Sequence, residues 1–243
     1  MAKLKIEFYA KSLARRTTFD LVIPSLNLHG CLNNKDDYYY ENLEEKYPLV
    51  IFLHGFGENG SAWQNNTQII KLCEDNKIAG CFINGDNKWY LNMGPIDDYY
   101  SLIERDILDY LYGNFRCLSR SKPLGIAGVS MGGYGALYHY LKNIDKYQAC
   151  IALSPATKPD EFDEKKYGSL RDLFLDAKNK PLNIYLSVGT KDFIYNASKE
   201  LDSFLKENEI NARYKMIDGS DHSWVTWNKE IFSVLSFLKD LDF

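Results

Sequence analysis

Five short apolar runs, most of them followed by a stretch of helix length, leave this chain few architectures to choose from. The runs are Leu49–Leu53, 78–83, 124–129, 149–153 and 182–188. Apolar stretches this short, without strict alternation, are what strands covered on both faces require. Helical patterns fall at 65–75, 98–112, 132–143, 195–208 and 228–240. Residues 3–9 and 17–23 alternate as half-buried strands, and 212–217 reads as a last strand. The order predicts an α/β fold: a mostly parallel central sheet of about eight strands with helices on both faces. No repeat, low-complexity tract or linker interrupts the 243 residues, so 1–243 reads as a single domain. The polar stretch from Ser25 to Tyr47, with its run Tyr38-Tyr39-Tyr40, reads as a long surface loop. Ala156–Lys180 is charged and is expected to be irregular with one short helix, so any lid is minimal.

Chemistry concentrates where the third run ends. Gly128-Val129-Ser130-Met131-Gly132 closes an apolar strand and opens a helix, the context that gives a G-x-S-x-G pattern its meaning. Glycines two before and two after the serine let the chain turn sharply and hold the hydroxyl above the sheet. The helix start behind it offers free N–H groups and partial positive charge. A serine hydroxyl is a weak nucleophile near neutral pH and needs a base, a group to orient that base, and donors for the oxyanion.

The chain supplies each in the order serine, acid, histidine. His222 lies in Asp218-Gly219-Ser220-Asp221-His222-Ser223-Trp224, past the last strand and before the last helix, the position for the base. Asp192, in Gly189-Thr190-Lys191-Asp192 at the end of its strand, is assigned as the acid. Asp218 and Asp221 are rivals by proximity, with turn or capping roles the more natural ones. His54-Gly55-Phe56-Gly57 follows the strand ending at Leu53, where the N–H of Phe56 is expected to join that of Met131 as oxyanion donor. His54 is expected to orient this loop, and His139, nine residues beyond Ser130, to point away from the site. Trp63, Trp89, Tyr90 and Trp224 are candidate walls of a substrate pocket, set against ordinary packing. Asp97-Asp98 before Tyr99 reads as a helix start, and Glu104, Arg105, Asp106 and Asp109 as its solvated face.

Together these stretches resemble the small α/β-hydrolase esterases of the esterase D and tributyrin esterase type, a group that includes S-formylglutathione hydrolases and feruloyl or acetylxylan esterases. The resemblance rests on Leu53-His54-Gly55-Phe56-Gly57, Trp63, Trp89-Tyr90, Ala127 to Leu137, Gly189-Thr190-Lys191-Asp192-Phe193 and His222-Ser223-Trp224. It implies an α/β-hydrolase fold and ester substrates, with Ser130, Asp192 and His222 as triad and Phe56 with Met131 as oxyanion donors. The expected activity is serine carboxylesterase action through an acyl-enzyme on short-chain acyl esters. Feruloyl or acetylxylan ester hydrolysis and S-formylglutathione-type thioester hydrolysis are the alternatives within that chemistry. A hydrolase-like scaffold that binds a ligand without turnover is the alternative outside it. The Ser25–Tyr47 loop is longer, and the segment after Ser154-Pro155-Ala156 shorter, than the compact members lead one to expect.

Composition bounds the partners. A net charge of −4 gives no electrostatic reason for nucleic acid or an anionic membrane, and no apolar stretch is long enough to span a bilayer. The expected partner is a small-molecule ester, and self-association into a homo-oligomer stays open. No phosphate-binding glycine loop and no metal-ligand spacing is present, so no metal and no cofactor is expected. Five scattered cysteines, Cys31, Cys73, Cys81, Cys117 and Cys150, contain no C-x-x-C pair, and the N-terminus leads into a strand rather than an apolar signal block. Both features point to a reduced, cytoplasmic protein.

Overall fold

The computed structural model describes residues 1–25, 44–159 and 164–243. The tyrosine run 38–40, Cys31 and most of the predicted 25–47 loop lie outside the described residues. Eight strands form one sheet: β1 (Ala2–Ala10), β2 (Arg15–Ile23), β3 (Leu49–Leu53), β4 (Ala79–Ile83), β5 (Leu124–Val129), β6 (Ala149–Leu153), β7 (Ile184–Gly189) and β8 (Arg213–Ile217). Their order is β1-β2-β4-β3-β5-β6-β7-β8, with β1–β2 and β2–β4 antiparallel and every other pair parallel. Every residue of β3 to β7 is buried, as their apolar sequences require, whereas the edge strand β8 stays partly exposed.

The helices are α1 (Ala62–Asn66), α2 (Ile69–Asp75), α3 (Tyr99–Ser101), α4 (Leu108–Asn114), α5 (Met131–Lys142), α6 (Glu164–Tyr167), α7 (Leu170–Ala177), α8 (Tyr195–Glu207) and α9 (Trp224–Lys239). A π-helical stretch, Leu102–Ile107, joins α3 to α4. They cover the sheet from two sides. One buried cluster gathers residues of α4, α5, α7 and α8, and the other gathers Trp63, Ile69 and Leu72 with Trp227, Ile231 and Leu238 of α9. The helices after β3 and after β5 therefore leave in opposite directions while Leu53 pairs with Gly128. This reversal of strand order opens a crevice at the carboxyl ends of β3 and β5, the usual ligand site of such sheets. None of the described helices is long and apolar enough to cross a membrane.

Two expectations change. The segment after β6 carries two short helices, α6 and α7, instead of one. Glu104 is buried rather than part of a solvated face. It accepts hydrogen bonds from Tyr147 Oη at 2.7 Å and Lys146 Nζ at 2.5 Å, and lies 2.6 Å from His139 Nδ1. These contacts hold its carboxyl near 2 although burial alone would push it up. Asp98 caps α3 as read from sequence, accepting from the Ser101 N–H at 2.9 Å.

The crossing of α5 over the sheet depends on Gly132. A Cβ there would stand 2.3 Å from the Leu53 carbonyl oxygen and 2.7 Å from that of His54, both backbone atoms with little room to yield. Gly132→Ala is expected to cost about 3 kcal/mol, lowering the melting temperature by roughly 6–12 °C. An unchanged melting curve would contradict this packing.

Candidate active site

Ser130 sits at the junction of β5 and α5 with φ 55° and ψ −117°, a left-handed backbone that L-residues adopt at a cost of about 1–3 kcal/mol. The conformation is pinned from several directions. The Ser130 N–H donates to Leu153 O at 3.0 Å, and the Ser130 carbonyl accepts from Tyr134 at 3.1 Å and Ala156 at 3.1 Å. Ser130 is half-buried at the start of α5, where N–H groups lack intrahelical partners.

The loops after β7 and β8 bring Asp192 and His222 together. His222 Nδ1 lies 2.9 Å from both Asp192 oxygens. The approach depends on Gly189, where a Cβ would stand 2.1 Å from the Ser220 carbonyl oxygen, and the Lys191 N–H donates to that oxygen at 2.9 Å. The Asp192 side chain is fully buried and that of His222 is 15% exposed. Burial alone would raise the Asp192 pKa. Hydrogen bonds from His222, the Ile194 N–H and the Ser154 hydroxyl more than offset it and hold the carboxyl below its usual range. The His222 ring is packed by Phe193 at 4.4 Å and edge-on by Trp227 at 5.0 Å between centroids.

The rival acids are occupied locally. Asp221 accepts from the Ser223 and Thr226 hydroxyls, and Asp218 from the Thr190 hydroxyl. No hydrogen bond joins Ser130 to His222 among the described residues; such contacts often tighten only when substrate is bound.

The turn after β3 is clasped by the loop after β4. Buried His54 accepts the Gly85 N–H on Nε2 at 2.9 Å, which puts its proton on Nδ1, 2.7 Å from Gly55 O. Burial pushes the His54 pKa down, consistent with a neutral ring that orients the turn. Tyr90 Oη donates to His54 O at 3.0 Å, and Asn87 Oδ1 accepts the Gly57 N–H at 2.7 Å. The clasping loop is itself strained: Asp86, Asn87, Trp89 and Tyr90 all have positive φ. Its far end is fixed by His139, whose Nε2 lies 2.9 Å from Tyr90 O. Among the described residues, none accepts from the N–H of Phe56 or of Met131.

The four aromatic candidates divide. Trp63 and Tyr90 are 2% and 0% exposed and direct their polar atoms to the carbonyls of Leu53 and His54. They pack beneath the turn and do not wall a pocket, because a buried Trp or Tyr is held where its polar handle finds a partner. Trp89 and Trp224 keep exposed surface. Trp89 meets Tyr134 edge-on at 5.7 Å, and Trp224 meets Trp63 at 5.4 Å. Sequence reasoning missed Ser154, which follows β6 with φ 44°, accepts from Trp227 Nε1 at 3.1 Å and supports Asp192. It also missed Asn87; in both cases the partner is distant in sequence and no local pattern announces it.

The model of the family described as "Putative esterase" matches residues 35–238. The chain belongs to this esterase family. Over 98% of both chains, this esterase is 26% identical to the acetyl esterase of Caldicellulosiruptor saccharolyticus. Its fold is that of an S-formylglutathione hydrolase from Staphylococcus aureus (TM-score 0.80, 20% identity, 97% of this chain and 98% of that one). It is also that of a ferulic acid esterase from Anaeromyces mucronatus in complex with ferulic acid (TM-score 0.70, 15% identity, 96% and 88%). The α/β-hydrolase fold read from the sequence thus agrees with these neighbours and with the mostly parallel eight-stranded sheet.

Proposed function

We propose that this esterase hydrolyses short-chain carboxylic esters through an acyl-enzyme on Ser130, with the whole chain acting as one catalytic domain. The observation that carries the reading is the buried Asp192 carboxyl against His222 Nδ1, on the two loops that follow β7 and β8. Asp192 fixes the tautomer that leaves Nε2 free to take the Ser130 proton, and it stabilises the imidazolium that forms. The serine oxygen attacks the ester carbonyl, and the N–H groups of Phe56 and Met131 receive the developing oxyanion. His222 then protonates the departing alcohol. Water, deprotonated by His222, cleaves the acyl-serine bond and restores the hydroxyl. The clasp made by Gly85, Asn87 and Tyr90 supports this reading, because donors help most when fixed before the charge appears. A metal has no part in these steps, and among the described residues no group of three or more His, Cys, Asp and Glu could hold one. The scattered cysteines, without a C-x-x-C pair, support a reducing compartment such as the cytoplasm.

The short acyl preference follows from the segment after β6. Its helices α6 and α7 span four and eight residues, little chain for the long apolar wall that would remove a fatty acyl group from water at about 0.8 kcal/mol per methylene. The similarity to an acetyl esterase points the same way. Across nitrophenyl acetate, butyrate, octanoate and palmitate, kcat/KM is expected to peak at two to four carbons, roughly the range one short pocket accommodates. A maximum at octanoate or beyond would overturn the preference. Methyl ferulate and an S-formyl thioester belong in the same panel, and dominance of either would move the reading to that branch.

A further inference from the structure

Glu58 stands beside the nucleophile and has no part in the steps above. It lies in the turn after β3, three residues beyond Gly55, whose carbonyl accepts its N–H at 3.3 Å. Its Oε1 accepts from Trp224 Nε1 at 2.5 Å, tying the turn after β3 to the start of α9 just beyond His222. Trp224 is in turn wedged edge-on against Trp63 at 5.4 Å and Trp227 at 5.0 Å, so the carboxyl is held firmly. The other oxygen, Oε2, is buried and has no hydrogen-bond partner. Both Oε2 and the Ser130 Cβ stand 3.6 Å from the point a Cβ on Gly55 would occupy, which puts the carboxyl in the immediate surroundings of the nucleophile. Among the described residues Glu58 makes no ion pair, and Arg15 of β2 is engaged by Asp86 in the clasping loop. A buried acceptor without a partner is uncommon enough to ask for a reason.

We infer that Glu58 is a specificity-determining residue that selects esters by charge, favouring neutral and cationic substrates and rejecting those with a carboxylate near the scissile bond. The inference rests on Ser130 as the nucleophile. Its cause is Coulombic and needs no direct contact: a fixed, uncompensated carboxylate within several ångströms of the reacting carbonyl repels a second anion and attracts a cation, the more so with little water between them. Such a charge offers nothing to the oxyanion, so its benefit lies in discrimination between substrates.

Two series of esters test this, one with the charge on each side of the ester. On the alcohol side they are acetoxyacetate, propyl acetate and acetylcholine. On the acyl side they are monomethyl succinate, methyl butyrate and methyl 4-aminobutyrate. The wild-type protein is expected to rank cation above neutral above anion in at least one series, which also tells on which side the carboxyl acts. In Glu58→Gln, which keeps an oxygen for Trp224, the cation-to-anion ratio of kcat/KM is expected to fall about ten-fold in that series. Trp224→Phe, which removes the tether, is expected to weaken the ratio in the same direction. The ratio should persist in 0.5 M salt, a concentration at which general steering by the net charge of −4 is screened. A wild-type ratio near one, a ratio that Glu58→Gln leaves unchanged, or a ratio abolished by salt would each overturn the inference. Failure of the wild-type protein to cleave either neutral ester would instead count against the acyl-enzyme reading.

Discussion

Ser130→Ala is expected to fold like the parent protein and to lose ester hydrolysis by on the order of 10⁴-fold or more. The substitution removes one oxygen from a half-buried position whose backbone is fixed by Leu153, Ala156 and Tyr134, so the scaffold has no cause to shift. The covalent route disappears with that oxygen, and any residual rate comes from the oxyanion donors and from binding. Turnover of nitrophenyl acetate by the purified variant measures the loss, and a circular-dichroism melt shows that the fold persists. Near-parental turnover would mean that the nucleophile lies elsewhere.

Asp192→Asn is expected to reduce kcat by roughly 10⁴-fold, while Asp221→Asn and Asp218→Asn stay within about ten-fold of the parent. An amide in place of the buried carboxyl presents a donor as readily as an acceptor to His222 Nδ1, so it favours the wrong tautomer and leaves the imidazolium unstabilised. Ser154 and the Ile194 N–H add to the asymmetry, because both donate to the position and suit a carboxylate better than an amide NH₂. The Asp221 carboxyl accepts from the Ser223 and Thr226 hydroxyls and that of Asp218 from the Thr190 hydroxyl, and among the described residues no hydrogen bond joins either to His222. Equal damage at Asp221 would move the orienting acid into the loop that carries His222.

The sheet and the loop positions of Ser130, Asp192 and His222 were legible in sequence for one reason: strands buried on both faces read as continuous apolar runs, and this fold hangs its polar residues on the loops at their ends. Local capping was legible too, as at Asp98, because donor and acceptor are three residues apart. The short helix α7 carried a comparable signal that was not used: Ser169 caps it, accepting from the Asp172 N–H at 3.1 Å. The buried network of Glu104 was hidden for a different reason. Its charge pattern is that of a solvated face, and its partners His139, Lys146 and Tyr147 stand 35 to 43 residues away. Tyr90 and Trp63 looked like pocket walls because aromatic residues near a loop serve binding and packing alike; only the carbonyls they reach, at His54 and Leu53, separate the two roles. Ser154, directly after β6, and Asn87, in the loop after β4, both have positive φ, for which a serine or asparagine in sequence gives no distinct mark.

The central claim is that Ser130 is the activated nucleophile, and covalent labelling tests it most directly. The purified protein would be treated with a fluorophosphonate, followed by intact-mass measurement and peptide mapping. The account predicts one adduct per chain, on the peptide containing Ser130, formed at a rate that falls sharply in Asp192→Asn and absent in Ser130→Ala. An adduct on another residue, or no adduct on protein that still hydrolyses nitrophenyl acetate, would contradict it.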